Sequence, residues 1–325
     1  MNETQPLAGG VRVLVLGATG TIGRATVAAL CARGHEVVCY LRPEAEAAGL
    51  PEGVTLRRGE MAQFAPEGLR GERFDALVSC MASRSGLPAD AWAVDHDAHL
   101  LALEAAQAAG VGHMVLLSAI CVQKPMLAFQ AAKLAFEARL IASGLRYSIV
   151  RPTAYFKSLS GQIARVQAGR PYLVFGDGRL TACKPISDRD LGAYLAGCLD
   201  VPDRWNRVLP IGGPGPAITP RDQAEWLFKR LGKPVSLLQV PVGMMDAIIG
   251  GLSLGGRVLP GLRAKAELAR IGRYYATESM LVWDAAAGAY DAGATPETGQ
   301  DRLFDYYEEV ITGQARVDLG AHAVF

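Results

Sequence analysis

Three glycines near the start of the chain have the spacing of a phosphate-binding loop. The run "GATGTIG" places them directly after the apolar stretch "VRVLVL" and before a stretch with helical spacing. One glycine permits a tight turn, a second lets the backbone approach a pyrophosphate, and a third lets helix and strand pack closely. The motif therefore predicts a dinucleotide site, with an ordinary glycine-rich turn as the alternative. The residues expected to contact the dinucleotide are Gly17, Thr19, Gly20, Thr21, Ile22 and Gly23.

The charge of the residues near the expected ribose favours one dinucleotide over the other. An acidic residue at the end of the second strand would hold the ribose 2′-hydroxyl of NAD. Here "HEVVCYLR" ends in Arg42, and Arg24 directly follows the last loop glycine. Guanidinium groups make planar, charge-assisted contacts to phosphate oxygens, which suits the 2′-phosphate of NADPH. We therefore expect NADPH rather than NADH; the alternative makes Arg42 a solvated residue at a strand end.

The elements that must position these residues alternate along the first half of the chain. Apolar, strand-like runs are separated by stretches with helical spacing, such as "TIGRATVAALCARG" and "AWAVDHDAHLLALEAAQAAG". Nearly continuous apolar strands alternating with helices are typical of a parallel sheet covered on both faces. The pattern predicts an α/β fold with a doubly wound parallel sheet of the Rossmann type. The expected strands are "VRVLVLG", "HEVVCYLR", "VTLRRG", "FDALVSCMAS", "HMVLLSAI" and "RYSIVRP".

The alternation loosens after Pro152, which suggests a second, smaller unit. Turns rich in glycine and proline separate short elements there, and the last third of the chain contains several helical stretches. We predict a dinucleotide-binding core over residues 1–155 and a C-terminal substrate lobe over most of residues 156–325. The run "NRVLPIGG" predicts a strand near 206–213 that returns to the sheet.

Composition limits the class of protein. The chain has 325 residues, and its 33 Lys and Arg nearly balance its 32 Asp and Glu, so no global field favours nucleic acid. Six cysteines without a CxxC pair are expected to be buried, reduced thiols in a cytoplasmic protein. The start "MNETQPLAGG" lacks the features of a secretory signal. Residues 241–261 are apolar but interrupted by charges, and we expect a buried helix, a pocket lid or a surface-associating segment, in that order.

The histidines do not have metal-site spacing. His96 and His99 stand with Asp95 and Asp97 on a predicted helix, which resembles a ligand cluster at first sight. A solvated or capping helix face is the expected reading, and no metal site is predicted.

Longer motifs identify a family. The glycine loop, a strand ending at Ser118 and Lys133 on the following helix resemble the extended or atypical (NmrA-like) short-chain dehydrogenases. A more specific resemblance, to the NADPH-dependent 3,8-divinyl (proto)chlorophyllide a 8-vinyl reductases, is carried by four stretches that reach from the core into the C-terminal lobe. These are "LLSAICVQKP", "FQAAKLAFEARL", "VRPTAYFKSL" and "IGRYYATESMLVWD".

The resemblance implies a reaction, a cofactor and a partner. It implies reduction of the 8-vinyl group of a magnesium-containing tetrapyrrole, divinyl chlorophyllide or protochlorophyllide, with NADPH, during (bacterio)chlorophyll synthesis. It also implies that Lys133 contacts the cofactor ribose, that Ser118 lies near the nicotinamide or the substrate, and that Pro152 and Thr153 border the nicotinamide. Such an enzyme is expected in the cytoplasm, with a weak association at the surface of the photosynthetic membrane as a further expectation.

One residue departs from the short-chain dehydrogenase pattern. A tyrosine four residues before the lysine donates a proton to a carbonyl oxygen in those enzymes, and this chain has Phe129 there. Hydride addition to a conjugated vinyl group leaves the charge on the macrocycle, so no oxygen needs a proton. Phe129 fits that chemistry and could pack against a flat substrate. The alternative makes Phe129 a core residue and pairs Lys133 with Glu137 at i,i+4.

The proton donor stays open at this level. Lys133, Tyr155 and the pair Tyr274/Tyr275 are candidates, and we favour a position of Tyr155 near the site. Arg151 either borders the site or ties its strand to a helix. Two rival functions also stay open: another short-chain reductase acting on a quinone or an unsaturated carbonyl, and a catalytically silent NADPH-binding sensor or assembly protein.

Overall fold

Seven parallel strands form the central sheet of the computed structural model, which describes residues 10–315. Residues 1–9 and 316–325 lie outside that part, and with them most of the stretch on which the absence of a secretory signal was predicted. The strands are β1 (Arg12–Leu16), β2 (Glu36–Leu41), β3 (Thr55–Arg58), β4 (Ala76–Ser79), β5 (His113–Leu117), β6 (Arg146–Pro152) and β8 (Arg207–Ile211). Their order in the sheet is β3–β2–β1–β4–β5–β6–β8, and every neighbouring pair is parallel. This confirms the predicted doubly wound α/β fold.

Helices cover both faces of this sheet because successive strand residues point to opposite sides. On one face, α1 (Thr21–Ala32) and α7 (Asp188–Gly197) pack on a core that includes Val13. On the other, α3 (His99–Ala108) and α4 (Ala128–Ala142) pack on a core that includes Leu14. Burial on both faces explains why the strands read as continuous apolar runs.

The remaining elements lie between and beyond these layers. Two short sheets occur, a parallel pair of β7 (Tyr172–Phe175) with β9 (Leu237–Val240) and an antiparallel pair of β10 (Val282–Asp284) with β11 (Ala289–Asp291). The further α-helices are α2 (Pro88–Ala91), α5 (Phe156–Leu159), α6 (Ile163–Gln167), α8 (Pro220–Arg230), α9 (Val242–Gly255), α10 (Pro260–Thr277) and α11 (Leu303–Ile311). Single turns of 3₁₀-helix are Met61–Gln63, Ile120–Gln123 and Pro202–Arg204, and π-helical segments are Phe64–Leu69 and Trp92–Ala98.

The second half of the chain divides between two cores. β8 pairs in parallel with β6 and α7 packs against α1, so both belong with the central sheet. A separate apolar cluster includes Phe156, Val174, Phe228 and Tyr307 and joins α5, β7, α8 and α11. The division at residue 155 stays a prediction.

The apolar segment 241–261 does not form a buried helix. It folds into α9, in which no residue is buried, and the turn that leads to α10. α10 packs along α9, and Arg273 pairs with Asp246 across the two helices. The prediction of a buried helix was wrong: within residues 10–315, α9 packs along α10, and none of the apolar cores includes a residue of α9. Within residues 10–315, no helix is long and apolar enough to cross a membrane.

Candidate functional site

The glycine loop lies where the sequence predicts, between β1 and α1. Gly17 has φ +71°, and a Cβ on it would stand 2.5 Å from the carbonyl carbon of Cys80, at the end of β4. A Cβ on Gly23 would stand 2.1 Å from the Gly17 carbonyl oxygen. Both glycines are therefore required by the packing of the protein itself.

Gly20 is different, because its missing side chain leaves room for a ligand. The nearest heavy atom that a Cβ there would meet is the Gly17 carbonyl oxygen, at 3.5 Å, and the residue is exposed. It directly precedes α1, so the free amide groups of the first helical turn face the same space. The loop therefore fits the pyrophosphate of a dinucleotide. Thr19 lies in the loop and Thr21 and Ile22 lie in the first turn of α1, and their contact with the dinucleotide stays a prediction.

A lysine that the sequence analysis did not single out also reaches this loop. Lys157 on α5 donates a hydrogen bond from Nζ to Thr21 Oγ1 at 3.3 Å. Its ammonium adds positive charge at the helix end that would face the phosphates. The run "YFKS" has no motif that would mark this lysine, since the contact joins residues 136 positions apart.

Arg42 and Arg24 are both exposed beside the adenosine end of the predicted cofactor site. Arg42 follows β2 directly, and the Arg24 side chain runs past Gly49, with its Cδ 3.3 Å from where a Cβ of Gly49 would stand. Arg58, at the end of β3, donates from Nη1 to the backbone carbonyls of Pro43 at 3.0 Å and Ala45 at 2.6 Å. Arg58 therefore holds the segment that carries Arg42, which the sequence alone did not indicate.

Ser118 is buried just beyond β5, and its hydroxyl donates to Glu137 Oε1 at 2.5 Å. Glu137 also accepts from Arg151, through Nε at 3.2 Å and through Nη2. Arg151 thus ties β6 to α4, the structural alternative considered for it. The suggested pairing of Lys133 with Glu137 was wrong, because Glu137 faces the sheet and is neutralised there by Arg151.

Lys133 pairs instead with Asp95, with 2.9 Å between Nζ and Oδ1. The lysine side chain is 11% exposed and the aspartate side chain is fully buried. Asp95 lies on the π-helical segment Trp92–Ala98 and also accepts two hydrogen bonds from Ser83, in the loop after β4. The prediction of a solvated or capping face was wrong for Asp95 and for His99, which is buried and 2.8 Å from Ser79 Oγ through Nε2.

Phe129 is buried, in an apolar cluster with Leu127, Ala132 and Tyr274. A Cβ on Gly86 would lie 3.6 Å from its ring and 3.2 Å from Ile271 on α10. Phe129 therefore packs in the core beneath the place where α10 meets the loop after β4. The structure thus agrees with the alternative that makes Phe129 a core residue. Contact of Phe129 with a substrate stays a prediction.

The three candidate tyrosines differ in what their hydroxyls contact. Tyr274 donates to the backbone carbonyls of Cys121 at 2.9 Å and Lys124 at 3.2 Å, which anchors α10 to the turn after β5. Tyr155 lies just beyond β6, where burial and the neighbouring thiols of Cys121 and Cys80 raise the pKa of its phenol. Tyr155 thus stays protonated at neutral pH, at the carboxyl edge of the sheet.

Tyr275 projects toward the same edge from α10. Its ring lies 5.7 Å from that of Tyr274 and is edge-on to it, and its phenol neighbours the side chains of Cys121 and Tyr155. Tyr275 is 39% exposed as a residue, but burial of its phenol, with the nearby Cys121, raises the pKa of that phenol well above its ordinary value. Pro152 and Thr153, which were predicted to border a nicotinamide, are buried at the end of β6.

These side chains converge because the carboxyl ends of β1, β4, β5 and β6 meet at one edge of the sheet, where open α/β folds bind ligands. The six cysteines are free, four of them buried. Across residues 10–315, no group of three or more His, Cys, Asp and Glu is placed to hold a metal ion.

Comparisons with known proteins agree with this geometry. Residues 17–202 match a family model described as NAD(P)H-binding. The chain is 46% identical to the chloroplastic divinyl chlorophyllide a 8-vinyl-reductase of Oryza sativa subsp. indica, over 96% of this chain and 82% of that protein. It is 28% identical to the photosystem II assembly factor Ycf39 of Synechocystis, over 62% of this chain and 63% of that protein.

Solved structures show the same fold at low sequence identity. The NADPH-dependent quinone oxidoreductase QOR2 of Escherichia coli, crystallised with NADPH, superposes with a TM-score of 0.68. It is 20% identical, and the match covers 92% of this chain and 99% of that one.

Proposed function

Because the chain belongs to the divinyl chlorophyllide a 8-vinyl-reductase family, we propose that it reduces the 8-vinyl group of 3,8-divinyl (proto)chlorophyllide a to an ethyl group with NADPH. It is an oxidoreductase that acts on a carbon–carbon bond. The observation that carries this proposal is 46% identity to a reductase of that name over 96% of the chain.

The chain's own residues fit the cofactor. The open space at Gly20 and the amides of α1 would hold the pyrophosphate, with Lys157 adding positive charge. Arg24 and Arg42 would hold the 2′-phosphate that distinguishes NADPH from NADH. When bound, NADPH supplies the hydride.

The substrate side needs a proton on carbon and not on oxygen. Reduction of a vinyl group adds a hydride to one carbon and a proton to the other, and the charge that develops between these events spreads over the macrocycle. A buried phenylalanine at position 129 is compatible with this, since no alkoxide forms. Lys133 would orient the cofactor ribose, and the protonated phenols of Tyr155 and Tyr275 are the donors that the carboxyl edge offers.

The proposal predicts a spectroscopic change. Purified protein mixed with NADPH and divinyl chlorophyllide or divinyl protochlorophyllide should shift the Soret band to the blue, as conjugation with the 8-vinyl group is lost. Chromatography should identify the 8-ethyl product, and omission of NADPH is the control. Tight NADPH binding without any product would contradict a reductase and favour an assembly role, which the similarity to Ycf39 suggests as the second candidate.

Single-turnover assays can identify the proton donor. Replacement of the true donor, Tyr155→Phe or Tyr275→Phe, should slow the chemical step. Tyr172→Phe is the matched control, because its hydroxyl donates to Gln223 Oε1 at 3.1 Å in the separate apolar cluster of α5, β7, α8 and α11. A slow step in Tyr172→Phe, with normal steps in Tyr155→Phe and Tyr275→Phe, would contradict this assignment.

Weak membrane association belongs to the same proposal. The end of α9 exposes Leu254 at 64%, and the turn that leads to α10 exposes Val258 and Leu259 at 82% and 59%. Residues 254–265 carry three basic side chains and no acidic one. An exposed apolar tip with basic neighbours is the pattern of a segment that rests on an anionic bilayer surface. Such contact would bring a poorly soluble pigment close to α10 and the site.

Vesicle flotation tests this association. Wild-type protein should float with vesicles that contain anionic lipid, and Val258→Asp should abolish flotation while detergent-dispersed substrate is still reduced. Leu101→Asp, an exposed apolar residue of α3, is the matched control and should float normally. Equal flotation of Val258→Asp and wild type would contradict the proposal.

A further inference from the structure

Asp95 is a buried carboxylate at a position where the sequence predicted a solvated or capping helix face. Its side chain is fully buried, and it lies on the π-helical segment Trp92–Ala98 between α2 and α3. Short π-helical segments are uncommon and are frequent at functional sites. Here the segment brings Asp95 against α4, 38 positions further along the chain.

The contacts of Asp95 join two parts of the candidate site. Its Oδ1 accepts from Lys133 Nζ at 2.9 Å and from the Ser83 amide at 3.2 Å, and its Oδ2 accepts from Ser83 Oγ at 2.6 Å. Ser83 belongs to the loop after β4. In the same loop, a Cβ on Gly86 would lie 3.2 Å from Ile271 of α10 and 3.6 Å from Phe129. Asp95 therefore connects the lysine with the loop on which α10 rests.

Stability is a weak reason for such an arrangement. Removing an ammonium and a carboxylate from water costs free energy that their attraction often does not recover, and apolar side chains of similar size would serve the core as well. A buried pair is better explained by the orientation that it imposes. One N–H of Lys133 donates to Asp95, and 11% of the lysine side chain is exposed, so the other two N–H groups remain for a ligand.

We propose that Asp95 is a positioning residue, which holds the Lys133 ammonium toward the ribose and nicotinamide side of the bound cofactor and fixes the loop after β4 in register with it. The inference rests on the proposed function for the role of Lys133. Asp95 acts through Lys133 and does not itself touch substrate.

A double-variant cycle tests this. Asp95→Asn keeps the size of the side chain but removes its charge, and it should lower kcat/KM about tenfold to a hundredfold through misdirection of Lys133. If Asp95 acts through Lys133, the double variant Asp95→Asn/Lys133→Met should lose no more than Lys133→Met alone. Losses that multiply would overturn the proposal.

Asp90→Asn is the matched control. Asp90 accepts from Ser85 N at 2.8 Å and Ser85 Oγ at 2.7 Å, in the same loop and in the same manner, but its contact is with the loop alone. A role in holding the loop would make the two variants alike. A loss in Asp90→Asn as large as that in Asp95→Asn would overturn positioning through Lys133.

Two further measurements keep the result interpretable. If Asp95→Asn does not fold, Ser83→Ala loosens the carboxylate without removing a charge; its loss in kcat/KM should be smaller and should vanish in the Lys133→Met background. The Kd for NADPH, measured by nucleotide fluorescence for the two single variants and the double variant, tests the same coupling without requiring turnover. If wild-type protein reduces no vinyl group, the function fails, and non-additive effects on the NADPH Kd still decide the role of Asp95.

Discussion

The proposed nucleotide end and the proposed substrate end of the candidate site are built in different ways. At the nucleotide end, one continuous loop supplies Gly17, Gly20 and Gly23 between β1 and α1. At the substrate end, Lys133, Ser83 and Tyr275 come from three separate segments, and their contacts cross the fold. The first end therefore depends on local backbone geometry and the second on long-range packing, and substitutions should affect them differently.

Within the nucleotide end, Gly17 and Gly20 should differ in whether they are needed for stability or for NADPH binding. Gly17→Ala should lower the free energy of unfolding by at least about 2 kcal/mol and abolish NADPH binding, because the new Cβ meets the Cys80 backbone at a positive φ. Gly20→Ala should leave the free energy of unfolding nearly unchanged but weaken the binding of NADPH, because the new Cβ fills only the space that the ligand would occupy. Chemical denaturation and nucleotide fluorescence measure both. Similar destabilisation by the two variants would contradict this division.

At the substrate end, Lys133→Met should lower kcat/KM by about tenfold or more, since positioning is lost. It should also lower the free energy of unfolding, because the buried Asp95 carboxylate loses its ion pair. Lys124→Met is a suitable control, because Lys124 pairs with Glu278 at 2.7 Å and is half-exposed. Steady-state kinetics with NADPH measures the effect. Near wild-type rates for Lys133→Met would remove the lysine from the reaction.

The preference for NADPH over NADH gives a further test of the nucleotide end. Arg42→Asp should raise the KM for NADPH about tenfold or more, while the KM for NADH changes little, because only NADPH carries the 2′-phosphate. Arg139→Asp, at the far end of α4, controls for the change of charge. Equal effects of Arg42→Asp on both cofactors would show that the residue is a solvated strand end.

A further prediction concerns the pH dependence of the free energy of unfolding, through a histidine in the sheet that carries both ends. The effect is small at neutral pH. Burial, with the nearby Arg146, lowers the pKa of His113 to about 3, and its ring lies 3.0 Å from Ser148 Oγ. The unfolded chain takes up this proton near its ordinary pKa, so the free energy of unfolding should fall by about 1.4 kcal/mol per pH unit from about 6.5 toward 3. His113→Gln should flatten this slope in denaturation curves, and His96→Gln should not. An unchanged slope in His113→Gln would contradict a neutral buried histidine.

The two ends also differ in how much the sequence revealed. The glycine loop was predicted residue by residue, because a tight turn, a close helix contact and ligand space each demand glycine at a fixed spacing. The apolar runs predicted the parallel sheet for the same local reason. By contrast, a solvated or capping helix face was expected at Asp95 and His99, and both are buried.

The surface segments show the same limit. Residues 241–261 are apolar enough to suggest a buried helix, yet no residue of α9 is buried. The hydropathy of a segment shows how much apolar surface it could bury. It does not show whether the fold places another element against that surface. The placement of α10 over the site depends on Tyr274 and its bonds to two distant carbonyls, which no periodicity encodes.

By itself, the sequence determined the doubly wound sheet, the glycine loop between β1 and α1 and the presence of a lysine without its phenol, since these follow from spacing along the chain. Tertiary structure alone decided that Asp95 is the partner of Lys133, that Arg151 neutralises Glu137, and that α10 brings Tyr275 to the carboxyl edge. The physical reason is that a buried charge must be paired by whichever group packing places beside it. That choice is made between segments far apart in the chain, after the sheet and helices have assembled.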